Sequence, residues 1–155
     1  MFAARIYKGT PAGWPGVYNR LVRATENGPY SHAEISFSNG DSASASAMDR
    51  GVRFLGAGYA KPAPNFGNGN WDTVPLPIRL EAGCRLYFQQ HEGWAYDYRG
   101  NVRFVLPWGN RNSPLKKFCS AACLESLGVQ EGWRFGVNAA AQVFGWIGAK
   151  ELVNA

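Results

Sequence analysis

Polar and apolar positions alternate without a break over residues 32–37, with Ala33, Ile35 and Phe37 on one side and His32, Glu34 and Ser36 on the other. A period of two predicts a strand. Asn39-Gly40 supplies residues that tolerate positive φ in a tight turn. Residues 42–47 then alternate Ser and Ala, and Asp49-Arg50-Gly51 turns the chain again into Val52-Arg53-Phe54-Leu55. This order predicts a three-stranded antiparallel meander.

Other segments carry weaker signals. Residues 4–8 read as a first strand and 10–16 as a Pro/Gly loop. Over 17–25, Val17, Leu21 and Ala24 share one helical face that should be buried, with Arg20 and Arg23 elsewhere on the surface, and Asn27-Gly28-Pro29 stops the helix. Residues 56–70 form a Gly-, Pro- and Asn-rich loop, a lid or variable insertion, and 71–76 a further strand. Leu80, Cys84, Tyr87 and Phe88 have helical spacing over 80–91, with Glu81 near the start, where the helix dipole favours an acid. An aromatic loop is expected over 94–99, a short strand over 101–106 and a polar turn over 108–114. A helix beginning around Cys119 aligns Cys119, Cys123 and Leu127, and Gly128 ends it. The last helix runs from an Asn138 cap through 139–151, weakened by Gly145 and Gly148. Val52-Arg53-Phe54 and Val102-Arg103-Phe104 match, but three residues do not make a repeat.

A chain of 155 residues with 46% hydrophobic and 17% charged positions is expected to be one ordered domain over 1–155, with no linker. Gly and Pro together account for 28 residues, spread between hydrophobic segments, which predicts many turns and short elements. No apolar stretch reaches the roughly 18 residues of a membrane span. Residues 1–16 have Gly and Pro where a secretory leader needs an apolar run. The expectation is a soluble, unexported protein without a transmembrane segment.

The net charge of +5 comes with 11 arginines among 16 basic residues. These are scattered, Lys116-Lys117 being the longest adjacent run, whereas nucleic-acid arms cluster their charge. Nucleic acid is therefore not the favoured partner. The charge suits anionic partners, a phospholipid or an acidic cell-wall polymer among them, without choosing, and the oligomeric state is left open.

Three cysteines, Cys84, Cys119 and Cys123, leave at least one free thiol. At the first turn of a helix, Cys119 would have backbone N–H groups and the positive dipole end beside it, with Lys116 and Lys117 just before. Its base must be His32 or His91, the two histidines. His32 stands on a strand, a rigid mount, whereas His91 falls at a helix end with a plain surface role. A single thiol or histidine, considered alone, more often packs inertly. Cys119-x-x-x-Cys123 matches common zinc spacings poorly, a Cys119–Cys123 disulfide would strain a helical turn, and Gly67-Asn68-Gly69 lacks the Lys and Ser/Thr of a phosphate loop. No metal or cofactor is expected. Trp14, Trp71, Trp94 and Trp108 lie in or next to loops where they could line a groove.

Tyr30-Ser31-His32-Ala33-Glu34-Ile35, a small-residue strand leading to Gly51-Val52, the pair Tyr96-Asp97 and the helix start Phe118-Cys119-Ser120 together resemble the circularly permuted branch of the NlpC/P60 cysteine hydrolases. In the ordinary branch of that papain-like superfamily the cysteine helix precedes the histidine strand; here His32 comes first. The resemblance runs from about Tyr30 to Gly128 and is close in style to small phage-encoded members. It implies an α+β fold, a small antiparallel sheet or half-barrel packed against helices, with the catalytic Cys at a helix N-terminus. It implies a cysteine peptidase or amidase acting on a cell-wall peptide or similar substrate, cytoplasmic or virion-associated if phage-encoded. Related permuted proteins also include lipid acyltransferases and phospholipase-like enzymes, and a non-catalytic phage-type binding or inhibitor protein is a further alternative.

The family also implies a third polar residue to orient the imidazole. Residues 42–47 contain no Asp, Glu or His. Ser44 is the substitute there if the hairpin loop has three residues, which would set it opposite Ser36; with two, alanines face His32 instead. Glu34 is the alternative orienter, about 7 Å along the same strand face, unless it pairs with an arginine. Ser120 and Tyr30 are candidates for shaping an oxyanion site, with the Cys119 backbone N–H the stronger donor.

Overall fold

The computed structural model describes the backbone of residues 1–102 and 115–152. It is a mixed α+β structure in which seven strands form one open sheet. The strands are β1 (Ala3–Tyr7), β2 (His32–Ser36), β3 (Ser42–Ser46), β4 (Gly51–Leu55), β5 (Trp71–Pro75), β6 (Ala95–Tyr96) and β7 (Lys116–Lys117). The helices are α1 (Trp14–Glu26), α2 (Glu81–His91), α3 (Tyr98–Val102), α4 (Cys119–Ser126) and α5 (Val137–Leu152). Sheet order is β5-β1-β2-β3-β4-β6-β7, and every neighbouring pair is antiparallel except the parallel β6–β7. The expected meander is β2-β3-β4, and the 56–70 loop contains neither strand nor helix.

Register turns the alternation into two faces. Val74, Ala4, Ile35, Ala43 and Phe54 lie side by side across five strands. Except for the partly buried Val74, these residues belong to the buried core, together with Cys84 and Phe88 of α2, Ala121 to Leu124 of α4, and Val137, Ala140 and Phe144 of α5. The neighbouring row is polar: Thr73, Arg5 and Glu34 are successive partners, and Ser44 pairs with Arg53. Arg5 Nε donates to Ser36 Oγ over 2.9 Å and its Nη1 to Thr73 Oγ1 over 2.5 Å.

The α1 pattern has the helical period but a different phase. Val17, Leu21 and Ala24 are exposed, and Gly16 and Val22 are the buried positions. Gly16 sets this orientation, because a Cβ there would lie 1.9 Å from the Pro11 carbonyl oxygen. The helix also begins three residues early, at Trp14, with Pro15 in the first turn, where its missing N–H costs nothing.

The expected aromatic loop over 94–99 instead joins the sheet as β6. Tyr96 N–H donates to Arg50 O over 2.8 Å, and Gly51 leaves room for the Trp94 carbonyl, which a Cβ would approach to 2.2 Å. Residues 101–102 are helical rather than extended; the rest of the expected 101–106 strand, the 108–114 turn and Trp108 lie outside the described residues. Asn138 is not a cap but sits inside the first turn of α5, its Oδ1 accepting from Tyr30 N–H over 3.0 Å and its Nδ2 donating to Glu26 Oε2 over 3.1 Å. It fastens α5 to the segment between α1 and β2. No helix among the described residues is long and apolar enough to cross a membrane.

Candidate active site

Cys119 is the first residue of α4, after Phe118 in extended conformation, and no side chain caps the helix. First-turn N–H groups of a helix have no intrahelical acceptor, so those of Cys119 and Ser120 are placed to donate elsewhere. His32 is the first residue of β2, and its imidazole interacts with the Cys119 thiol and with the Glu34 carboxylate. The pair predicted from opposite ends of the sequence therefore meets. His32 Nε2 lies 3.4 Å from Glu34 Oε2, so the ring stands between a thiol and a carboxylate.

Glu34 is 1% exposed and fully engaged. Ser42 Oγ donates to its Oε1 over 2.5 Å, and Arg53 Nη2 donates to Oε2 over 3.2 Å. The orienter and the arginine partner considered as alternatives are the same residue, with Oε2 shared between His32 and Arg53. Burial alone would raise the Glu34 pKa, but the Arg53 charge and the bonds from His32 and Ser42 bring it down to about 2. Burial likewise opposes charge on His32, yet Cys119 and Glu34 outweigh it and raise the ring from 6.5 to about 9. Arg53 is itself anchored by Asp49, Nε to Oδ2 over 2.8 Å, and Asp49 also pairs with Lys61.

The hairpin loop does contain three residues, 38–40, closed by Phe37 N–H donating to Asp41 O over 2.8 Å. Ser42 rather than Ser44 is then opposite Ser36. Ser44 is no orienter: its hydroxyl donates to Ala33 O over 2.6 Å and accepts from the Cys123 thiol at 3.8 Å. Ser120 Oγ donates to Phe135 O over 2.9 Å and Tyr30 OH to Asp72 over 2.8 Å, so both candidate oxyanion side chains are committed to structural bonds. Lys117 is buried against Glu125 at 2.7 Å, which neutralises the positive charge expected to act on Cys119. His91 accepts no catalytic role: its Nδ1 meets Tyr87 O at 2.7 Å within α2, and its ring stacks on Tyr87.

All three cysteines are free and buried. Burial pushes the Cys84 thiol up to about 12 and the Cys123 thiol well above its ordinary value, which disfavours their thiolates. A cleft of about 230 Å³ opens on His32 and Glu34, walled by Tyr7, Pro11, Pro15, Tyr18, Pro64 and Trp71. Among the described tryptophans Trp71 lines the groove, its ring edge-on to His32 at 6.2 Å, whereas Trp14 is exposed and Trp94 packs against the core. Tyr18 and Tyr96 bring their hydroxyls to 3.2 Å at the same cleft. Burial, and then the nearby Cys119 and Tyr18, keep the Tyr96 phenol protonated.

No motif marks Arg53, Ser42 or Tyr18 as site residues, and Tyr96 enters only through the Tyr96-Asp97 pair. One signal existed, a charged residue in the middle of the apolar strand Val52-Arg53-Phe54-Leu55, which needs a buried partner. Comparison of the chain with protein-family models, with curated proteins and with solved structures yields no match.

Proposed function

We propose that the protein is a cysteine hydrolase of the permuted papain-like kind, cleaving an amide of a cell-wall peptide or similar acyl compound. The observation that carries this reading is the imidazole of His32 held between the Cys119 thiol and the buried Glu34 carboxylate. His32 takes the thiol proton, and the sulfur attacks the carbonyl carbon. The resulting oxyanion is met by the Cys119 backbone N–H, and collapse breaks the C–N bond as His32 returns the proton to the leaving amine. Water, deprotonated by His32, then attacks the thioester, releasing the acid and restoring the thiol. Glu34 Oε2 engages Nε2 of the ring at 3.4 Å, and Nδ1 is assigned the proton transfer. The chain order, histidine strand before cysteine helix, supports kinship with the permuted branch.

The test is labelling by iodoacetamide at pH 7, read at each cysteine by peptide mass spectrometry. An ordinary thiol of pKa about 8.5 is only about 3% thiolate at that pH. Cys119 should label at least tenfold faster than Cys84 and Cys123, and His32→Ala should remove that advantage. Equal labelling with and without His32 refutes the dyad. A screen of peptidoglycan fragments, acyl lipids and ubiquitin-like thioesters then identifies the acyl donor.

A further inference from the structure

Among the described residues, three buried side-chain polar atoms have no hydrogen-bond partner: Glu26 Oε1, Ser31 Oγ and Arg53 Nη1. Ser31 and Arg53 both line the cleft that opens on His32. Ser31 is 3% exposed, and its main-chain N–H is satisfied by Tyr7 O at 2.9 Å, so the hydroxyl is its one unmet group among those donors. Arg53 spends Nε on Asp49 and Nη2 on Glu34, which leaves Nη1. A buried donor without an acceptor costs folding free energy, and native structures keep few of them. Both belong to residues that line one small cleft beside His32, where a substrate can supply the missing acceptors.

We propose that Ser31 Oγ and Arg53 Nη1 form a subsite for an uncharged oxygen, a carbonyl of the acyl donor other than the one that Cys119 attacks. The charge balance selects the uncharged form. Glu34 and Asp49 already surround Arg53, and Lys61 is spent on Asp49, so a carboxylate or phosphate would find no uncommitted arginine or lysine among the described residues that line the cleft. A carbonyl accepts both bonds without adding charge. The proline and aromatic walls, with a volume below the roughly 300 Å³ at which ordinary small-molecule sites begin, suit a short apolar group beside that carbonyl.

The subsite rests on the Cys119–His32 reading, and the experiment separates the two. N-acetyl-alanyl chloromethyl ketone alkylates a thiolate, forming C–S as C–Cl breaks and chloride leaves; its acetyl group offers the second carbonyl. An alkyl chloromethyl ketone of equal length lacks it. In the native protein the acetyl-alanyl probe should show an inactivation constant KI at least tenfold lower at Cys119. In Ser31→Ala that advantage should fall below twofold, in Ser31→Thr, which keeps the hydroxyl, it should persist, and the Ser31→Ala melting temperature should not drop. An unchanged probe ratio in Ser31→Ala, or a ratio of one in the native protein, overturns the subsite even if labelling depends on His32. Labelling indifferent to His32 refutes the dyad, whatever Ser31 does to the ratio.

Discussion

Replacing Glu34 by Gln removes the charge beside His32 while keeping the shape of the side chain. The move of the ring from 6.5 to about 9 is equivalent to about 3 kcal/mol in favour of the imidazolium. It is reached against burial, through Cys119 and Glu34. Glu34, at about 2, stays ionised from pH 5 to 10, so the ring feels a constant negative neighbour across its own titration. Glu34→Gln is therefore expected to lower the His32 value by at least one pH unit, because the opposing effect of burial is untouched. Cys119→Ser, which removes the ionisable thiol, should lower it as well. The chain has only two histidines, so the imidazole Cε1–Hε1 resonances in a ¹H–¹³C titration are assigned by one further variant, His91→Gln.

Stability gives an independent reading of the same charge. A histidine whose folded value lies above its unfolded value stabilises the fold fully below about pH 6.5 and loses that contribution as pH rises through about 9. Urea midpoints of the native protein should fall between pH 6.5 and 9.5, and the fall should shrink in Glu34→Gln. A native His32 that titrates near 6.5, or one that Glu34→Gln leaves unmoved, refutes the electrostatic account of the site.

Four further outcomes follow from packing and charge. Lowering the pH through about 2 should remove the stabilisation that ionised Glu34 supplies fully above about pH 4.5, a loss that acid-titration circular dichroism should show to be smaller in Glu34→Gln. Val17→Lys and Leu21→Lys, on the exposed face of α1, should change stability by no more than about 0.5 kcal/mol in urea melts, whereas Val22→Ala should cost about 2 kcal/mol. Gly148→Ala brings a Cβ to 2.5 Å from the Pro75 carbonyl and should destabilise by about 2 kcal/mol in the same assay. Gly145→Ala, with nothing within 4 Å, should stabilise α5 by up to about 1 kcal/mol through helix propensity, which calorimetry would register as a raised Tm.

The elements that could be read from the chain are those whose signal is local. Alternation over 32–37 and 42–47 gives the meander, but whether serines or alanines share the Glu34 side depends on the loop length, and the observed register puts Ser42 there. The apolar spacing of Cys84 and Phe88 gives α2, and the position of Cys119 relative to Gly128 gives α4. β6 and β7 escape because two residues have no period, and their pairing depends on Gly51 accommodating the Trp94 carbonyl, a contact between distant segments. The α1 phase escapes for the same reason: the chain shows which positions are apolar, but the contact of Gly16 with Pro11 decides which of them face inward. At the site, the proposed nucleophile Cys119 and base His32 were legible from residue type and placement. Ser42 and Arg53 were not, since each reaches Glu34 through a strand register that only the folded sheet defines.

Arg53 allows the electrostatic account to be tested in the opposite direction. It shares Glu34 Oε2 with the imidazole, 3.2 Å on its side and 3.4 Å on the ring's. A positive guanidinium so near disfavours a second positive charge on His32 and at the same time draws on the carboxylate that favours it. Arg53→Met should thus raise the His32 value above about 9, where Glu34→Gln lowers it, although both changes damage the same cluster. The variant should also lose about 3 kcal/mol of stability, because the buried Glu34 loses its arginine and the partly buried Asp49 retains only Lys61. Loss of packing alone would move the ring the same way in both variants, toward the value of a solvated histidine. Opposite shifts in the ¹H–¹³C titration identify charge as the cause; shifts of the same sign would mean that the ring's environment, and not the Glu34–Arg53 pair, sets its proton affinity.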